Sequence, residues 1–192
     1  MSTAKEILAI AQNFIQTSGY NSFSYKDISE KLGIKTSSIH YHFPKKADLG
    51  CAVIRQYTES YDSFRQSVNE STCDPLERFE QYLQPYLETD KTQTKICLCA
   101  ALSGEFISLP ESMQHEVINF FNFHEDWLTE LVDQLKQANL IQTEDSSNVI
   151  AQYISSTLQG ALLIARSKKE SVYFKNIVRM LKHNLSLNTV LS

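Results

Sequence analysis

A group of hydroxyl, imidazole and phenol side chains lies close together in the segment TSSIHYHFPKK. Ser37, Ser38, His40 and Tyr41 can all form hydrogen bonds, and the two rings can also stack on a base. None of them is a carboxylate, which phosphate groups would repel. These residue types predict contact with nucleic acid, because proteins read DNA through hydrogen bonds to base edges and phosphates.

Two short helices must position these side chains. Ile28 and Leu32 are four residues apart and predict one buried helix face, and Ile39 and Phe43 predict a second. Gly33 lies between the two helices and can adopt the positive φ that ends the first one. The pattern is that of a helix-turn-helix, whose second helix enters the major groove of DNA.

The ends of these helices carry further signals. Ser24 precedes Asp27 by three residues, which predicts an N-cap, and Pro44 ends the second helix. Lys45 and Lys46 then fall in the first turn of the next helix, where cations oppose the helix dipole. We therefore expect these lysines to serve another purpose, such as phosphate contact. Because helix-glycine-helix patterns also occur in proteins that do not bind DNA, a helical adaptor is the alternative.

The first quarter of the chain resembles the amino-terminal domain of TetR-type one-component transcriptional regulators. The resemblance is carried by Ala11, Phe14, Gly19, Tyr20, Phe23, Ser24, Ile28, Leu32, Gly33, Ile34, Ser37, Ile39, Tyr41, His42, Phe43, Lys46 and Leu49. Lys35, Ser37 and His40 depart from the residues frequent in that family and bear on the operator sequence more than on the fold. The resemblance implies a helix-turn-helix domain over residues 1–47 that binds double-stranded DNA through Ser24, Lys35, Thr36, Ser37, Ser38, His40, Tyr41, His42 and Lys46.

The rest of the chain predicts more helices and no strand, which gives an all-α fold of about nine helices. Asp74, Pro110 and Ser146 each precede a run of apolar residues at helical spacing, and Ile96 to Ile107 predicts a buried segment. The stretches CLCAALSGEFISLPESMQHEV, FFNFHEDWLTELV and LQGALLIARSKK also resemble a TetR-type carboxy-terminal domain. That resemblance implies that residues 48–192 bind a small effector of unknown identity and form a homodimer. Repression is the family default, and the sequence leaves activation open.

Two sets of residues are candidates for these roles. The pocket candidates are aromatic and polar residues on the core helices: Tyr61, Phe64, Phe79, Tyr82, Tyr86, Cys99, Phe106, Phe120, His124, Trp127, Tyr153 and Thr157. Ordinary core packing is the alternative for each of them. The dimer candidates are Leu158, Ala161, Leu162, Ala165, Val178 and Leu181, from two helices of which the first is rich in small residues that permit close approach.

The remaining titratable residues do not indicate an enzyme. No histidine pair at i, i+4 spacing, Gly-rich phosphate loop or nucleophile elbow occurs, so we expect no catalysis, metal or cofactor. Cys97 and Cys99 lie two apart on a helix and point to different faces, which disfavours a disulfide between them. A redox-sensing regulator without a small-molecule effector is a second alternative.

Charge and hydropathy fit this interpretation. Residues 1–50 contain six basic and four acidic residues, a net charge of +2, whereas residues 51–192 have a net charge of −6, which gives −4 for the chain. The basic excess therefore coincides with the expected DNA-binding segment. No apolar run of about 18 residues and no signal peptide occur, so we expect a cytoplasmic protein without a membrane partner.

Overall fold

The computed structural model describes residues 2–92 and 94–187. Within these ranges the chain has nine α-helices, two single-turn 3-10 helices at Tyr20–Ser22 and Phe106–Ser108, and no strand. The α-helices are α1 (Thr3–Ser18), α2 (Tyr25–Leu32), α3 (Thr36–His42), α4 (Lys46–Ser71), α5 (Pro75–Thr92), α6 (Leu98–Ser103), α7 (Glu111–Gln137), α8 (Ser147–Lys168) and α9 (Ser171–Asn184). The all-α prediction with about nine helices is confirmed.

The sequence signals at the helix ends correspond to real contacts. The Asp27 carboxylate accepts hydrogen bonds from both the hydroxyl and the backbone N–H of Ser24, each at 2.7 Å. These two bonds, the hydroxyl one first, lower the pKa of Asp27. Gly33 ends α2 with φ of 66°, as predicted. Asp74 caps α5 by accepting the Leu76 N–H at 2.9 Å.

The described chain forms two compact units. One contains the residues up to Tyr61 together with Lys95–Phe121, and the other contains Asp62–Thr94 together with the residues from Asn122 onward. Helices α4 and α7 each contribute residues to both units, and α6 belongs to the first. The functional division at residue 47 stays a prediction, because these units follow spatial contacts rather than DNA or effector binding.

The core of the first unit holds the helix-turn-helix in place. Ile28 of α2 and Ile39 of α3, both predicted to face inward, are fully buried. They join one apolar cluster with Ile7 and Ala11 of α1 and Leu102 of α6. Since each of these residues lies on the inner face of its helix, the opposite face of α3 is left to solvent.

In the second unit, α8 packs along α9 and both contact α5. Six residues predicted for the dimer interface are buried within the single chain, none more than 6% exposed: Leu158, Ala161, Leu162, Ala165, Val178 and Leu181. They lie on the inner faces of α8 and α9. A dimer interface on these two helices stays a prediction.

No helix in the described ranges is long and apolar enough to cross a membrane.

Candidate DNA interface and effector site

Helix α3 presents a polar outer face. Tyr41 is 83% exposed, and Ser37, His40 and His42 are exposed beside it. Thr36 and Ser38 are half-buried, and Lys35 is exposed just before the helix. Because Ile39 anchors the inner side of the same helix, these polar groups are held on a fixed support and face outward together.

Two hydroxyl groups join α2 to α3. The Thr36 hydroxyl donates to Ser29 Oγ at 3.4 Å, and the Ser29 hydroxyl donates to the Lys26 carbonyl at 2.7 Å. Ser29 is buried, so its partners matter to its stability there. Thr36 therefore contacts α2 through a long hydrogen bond in addition to its predicted DNA contact.

The His40 ring is oriented by neighbours at the end of α3. Its Nδ1 lies 3.3 Å from the Pro44 carbonyl, and its ring packs edge-on against Tyr25 with the ring centroids 4.7 Å apart. The Tyr25 hydroxyl donates to the Phe43 carbonyl at 2.8 Å. Burial raises the pKa of Tyr25 to about 12, so this hydroxyl remains a donor at neutral pH.

Lys46 has an internal role that sequence reasoning missed. Its ammonium donates to the carbonyls of Tyr20 (2.6 Å) and Phe23 (2.5 Å), and it lies over both of their rings at 4.4 and 4.3 Å from the centroids. Burial lowers the pKa of Lys46, against the opposing influence of Glu105 and Asp27. The predicted phosphate contact of Lys46 remains a prediction, but two of its three donors already serve the turn between α1 and α2.

Other residues near α3 complete the surface. Lys45 is exposed, and its backbone N–H donates to Asp48 at 2.9 Å to cap α4. Ser24 is exposed at the start of α2. A shallow depression is lined by Thr3, Ile34, Ser37, Ser38, Tyr41 and His42. Thr3 of α1 was not predicted as part of this surface, because no residue near it in the sequence indicates that the start of α1 lies beside α3.

The twelve pocket candidates fall into two groups. Tyr61, Cys99, Phe106 and Phe120 belong to the first unit, and Phe64, Phe79, Tyr82, Tyr86, His124, Trp127, Tyr153 and Thr157 belong to the second. In the first unit, Cys99 and Phe120 are buried in the apolar core. In the second, Tyr153 is exposed, Thr157 is half-buried and the aromatic residues on α5 and α7 are buried.

A polar cluster lies among the aromatic rings of the second unit. Tyr82 and Tyr86 hydroxyls lie 3.1 and 3.0 Å from His124 Nε2 and 3.2 Å from each other. The Gln159 side-chain amide donates to the Tyr86 hydroxyl at 3.5 Å. Trp127 packs edge-on against Tyr82, with the ring centroids 5.5 Å apart. We call Tyr82, Tyr86, His124 and Gln159 the polar cluster.

His124 is neutral at physiological pH. Burial lowers its pKa from 6.5 to about 4, because the imidazolium form would lose its hydration. The polar cluster therefore offers hydrogen bonds without a formal charge. Buried, partly apolar surroundings with a few placed polar groups are typical of small-molecule sites.

Cys97 and Cys99 give little support to redox sensing. Cys99 is buried, and burial raises the pKa of its thiol well above the usual value, which disfavours the reactive thiolate. Cys97 is half-buried and accepts a hydrogen bond from the Tyr57 hydroxyl at 3.7 Å. Among the residues described, no three His, Cys, Asp or Glu side chains are grouped as metal ligands would be.

Comparison with known proteins identifies the family. Residues 7–53 match the model of bacterial regulatory proteins of the tetR family. A TetR transcriptional regulator from Legionella pneumophila is 32% identical, with 96% of this chain and 98% of that chain covered and a TM-score of 0.88. A TetR-family regulator from Agrobacterium tumefaciens is 33% identical, with 95% and 96% covered and a TM-score of 0.90.

A regulatory protein TetR from Rhodobacter sphaeroides, 18% identical, has the same fold, with 95% and 98% covered and a TM-score of 0.87. No protein of curated function matches the chain. The two relatives above 30% identity align along nearly the whole length, and the helix-turn-helix lies where the family model places it. The chain therefore belongs to the TetR family of DNA-binding transcriptional regulators.

Proposed function

We propose that this protein is a cytoplasmic, ligand-responsive repressor that binds a palindromic operator as a homodimer and is released by a small molecule. The observation that carries the proposal is the outward polar face of α3, on which Tyr41 is 83% exposed. A phenol in that position has no packing role within the described chain comparable to that of Ile39 on the inner face. Sequencing the genomic DNA that the protein retains would give the operator and its neighbouring genes. Recovery of random fragments would contradict specific binding.

The proposed contacts divide into two kinds. Thr36, Ser37, His40 and Tyr41 lie nearest the base edges, and Tyr41 also reaches phosphate. Ser24, Lys35, Ser38 and His42 contact phosphates or sugars and set the register, together with the exposed Lys45. Lys46 acts mainly through the turn that it holds, because its ammonium already donates to two carbonyls.

Replacing Lys35 and Tyr41 separately should distinguish these two kinds of contact. Lys35→Ala is expected to reduce the slope of log affinity against log salt by about 1, because one fewer counterion is released. Tyr41→Ala is expected to weaken operator binding by about 1–3 kcal/mol without changing that slope. Fluorescence anisotropy over a salt series measures both quantities. The matched control is Lys95→Ala, an exposed lysine outside the helix-turn-helix, and an equal slope change there would contradict the assignment.

We propose that the dimer forms through the outer faces of α8 and α9. One stripe of α8 carries residues at successive spacings of four, seven and three: Val149, Tyr153, Gly160 and Leu163. The three apolar side chains among them are 43–51% exposed. On α9, Val172 and Met180 are exposed as well. Apolar residues on one exposed stripe favour a self-complementary interface with a two-fold axis, as an operator with two half-sites requires.

Gly160 allows this interface to be tested without disturbing the monomer. A Cβ at Gly160 would meet no atom within 4 Å, so a side chain fits in the single chain. Gly160→Glu is expected to weaken dimerisation by at least about 100-fold, because the two-fold axis brings two unpaired carboxylates into the interface. Sedimentation at several protein concentrations measures the dimer fraction.

Gly160→Ala is the control for this variant. It should raise the stability of the α8 helix by about 0.5–1 kcal/mol, because glycine is unfavourable within a helix. A Gly160→Glu protein that remains dimeric would remove this face from the interface.

We propose that the effector binds at the polar cluster of α5, α7 and α8. The cluster supplies two phenols, a neutral imidazole and an amide among aromatic rings. These groups suit an uncharged, largely apolar molecule that carries one hydrogen-bonding group. Effector and operator must weaken each other by the same factor, so calorimetry with and without operator tests the coupling directly. Equal affinity in both titrations would contradict release by that molecule.

A further inference from the structure

The turn between α1 and α2 determines where the helix-turn-helix lies. It begins at Gly19, passes through the single 3-10 turn Tyr20–Ser22 and ends at Phe23, just before α2. Tyr20 and Phe23 are buried and fix the turn to the core by their rings. Any shift of this turn is passed to α2 and then to α3, which follows after only a short connection.

A carboxylate distant in sequence holds the N–H side of this turn. Glu105 Oε1 accepts the Tyr20 N–H at 2.8 Å, and Oε2 accepts the Asn21 N–H at 3.0 Å and the Asn21 side-chain amide at 2.5 Å. The same amide donates to Ser108 Oγ at 3.0 Å. Glu105 lies two residues after the end of α6, which packs against α1. Hydrogen bonds to an ionised acceptor are stronger than neutral ones and depend closely on distance.

Lys46 holds the opposite side of the same turn. Its ammonium donates to the carbonyls of Tyr20 and Phe23, while Glu105 takes N–H groups. The backbone of the turn is therefore fixed by one anion and one cation from two different helical segments. Lys46 belongs to α4 within the DNA-binding region, whereas Glu105 comes from the segment around α6.

Gly19 leaves room for the carboxylate. Its φ is 95°, and a Cβ built on it would lie 2.0 Å from Glu105 Oε1. Any other residue at this position would be strained and would also displace Glu105. The fit is therefore specific to a glycine in the turn and a carboxylate above it.

We propose that Glu105 is the positioning residue through which the α6 segment controls the helix-turn-helix. This inference rests on the proposed DNA-binding function. A displacement of the α6 segment by about 1 Å either breaks the bonds to Tyr20 and Asn21 or carries the turn with it. Apolar packing tolerates small sliding, but this pair of charge-assisted bonds does not. The α6 segment and the DNA-reading helix are thereby coupled in both directions.

Hydrogen exchange measured with and without operator tests the coupling, and no effector is needed. At saturating operator, the wild-type chain is expected to show slower exchange in residues 98–108, which lie outside the helix-turn-helix. Glu105→Gln should lose this slowing of exchange. One of the two carboxylate oxygens becomes an amide NH₂ group, which cannot accept a hydrogen bond from the backbone N–H that it faces. Its operator affinity should fall by about tenfold, which corresponds to roughly one strong hydrogen bond. Removal of a negative charge would by itself raise the affinity for DNA. A fall in operator affinity therefore indicates that the helix-turn-helix is positioned differently.

Two further variants make the test decisive. Glu111→Gln removes an exposed carboxylate at the start of α7 and should behave as wild type. Asn21→Asp places a second carboxylate against that of Glu105, so the two repel each other and the operator-induced slowing of exchange should be lost. Because Asn21 is exposed, this variant tests the proposal even if Glu105→Gln proves unstable. Operator-induced slowing of exchange in residues 98–108 that persists in folded Glu105→Gln and Asn21→Asp would overturn the proposal. A wild-type chain that binds no DNA would instead overturn the proposed function.

Discussion

Replacing Lys46 by methionine is expected to lower the free energy of unfolding by about 2–3 kcal/mol, because two carbonyls lose a charged donor. Methionine keeps most of the side-chain volume, so the change removes mainly the ammonium and its contacts with the Tyr20 and Phe23 rings. The turn before α2 then loses one of its two polar supports, and operator affinity should fall with stability. Urea denaturation and operator titration on the same protein measure both.

Lys45→Met is the matched control for this change. Lys45 is adjacent in sequence but exposed, so its replacement should leave the free energy of unfolding unchanged within about 0.5 kcal/mol. If Lys45 contacts phosphate, the salt slope of operator binding should fall by about 1. The opposite pattern, with Lys46→Met stable and changed only in salt slope, would show that Lys46 acts as a phosphate ligand and not as a support.

Acidification from pH 7 to pH 5 is expected to remove about 2 kcal/mol of stability through His124 alone. The pKa of His124 is about 4 in the folded chain and 6.5 when unfolded, so the unfolded chain binds the proton first. Its contribution is therefore complete above pH 6.5 and is lost as the pH falls towards 4. Charging the imidazole in place would require burying a cation beside two phenols.

His124→Gln is the comparison that isolates this effect. Glutamine can still hydrogen-bond to Tyr82 or Tyr86 but does not titrate, so the difference in stability between the two proteins should shrink by about 2 kcal/mol from pH 7 to pH 5. Urea denaturation at equal protein concentration measures it, since dimerisation would otherwise contribute. Parallel pH profiles for the two proteins would show that His124 is not buried in its neutral form.

The helix-turn-helix was predictable because its determinants are local. The helical spacing of apolar residues predicts that Ile28 and Ile39 face inward, and both are buried. Gly33 adopts the left-handed conformation that ends α2. Ser24 and Asp27 form the cap at the start of that helix. Each of these signals acts within a few residues of chain. The polar outer face of α3 follows from the same periodicity, since the side opposite Ile39 must be exposed.

The contacts that the sequence did not predict are long-range or depend on which of two faces is covered. Spacing shows that α8 has an apolar face around Leu158, but not that the same chain buries it. Ile107 was expected in a buried segment and is 95% exposed, because the 3-10 turn after α6 points it away from the core. Nothing near Glu105 in the sequence indicates that its carboxylate meets Tyr20.

Gly19 and Glu105 also limit how this sequence can evolve. Any side chain at position 19 would occupy the space of the Glu105 carboxylate, and loss of that carboxylate would leave the N–H groups of Tyr20 and Asn21 without their acceptor. Because φ at position 19 is 95°, a side chain there is strained whatever residue stands at 105, so a change at one position cannot be compensated at the other. Relatives that share this turn should therefore keep glycine at position 19. Chimaeras that join this DNA-binding head to a foreign carboxy-terminal region should bind operator well only when that region supplies a carboxylate at the position of Glu105.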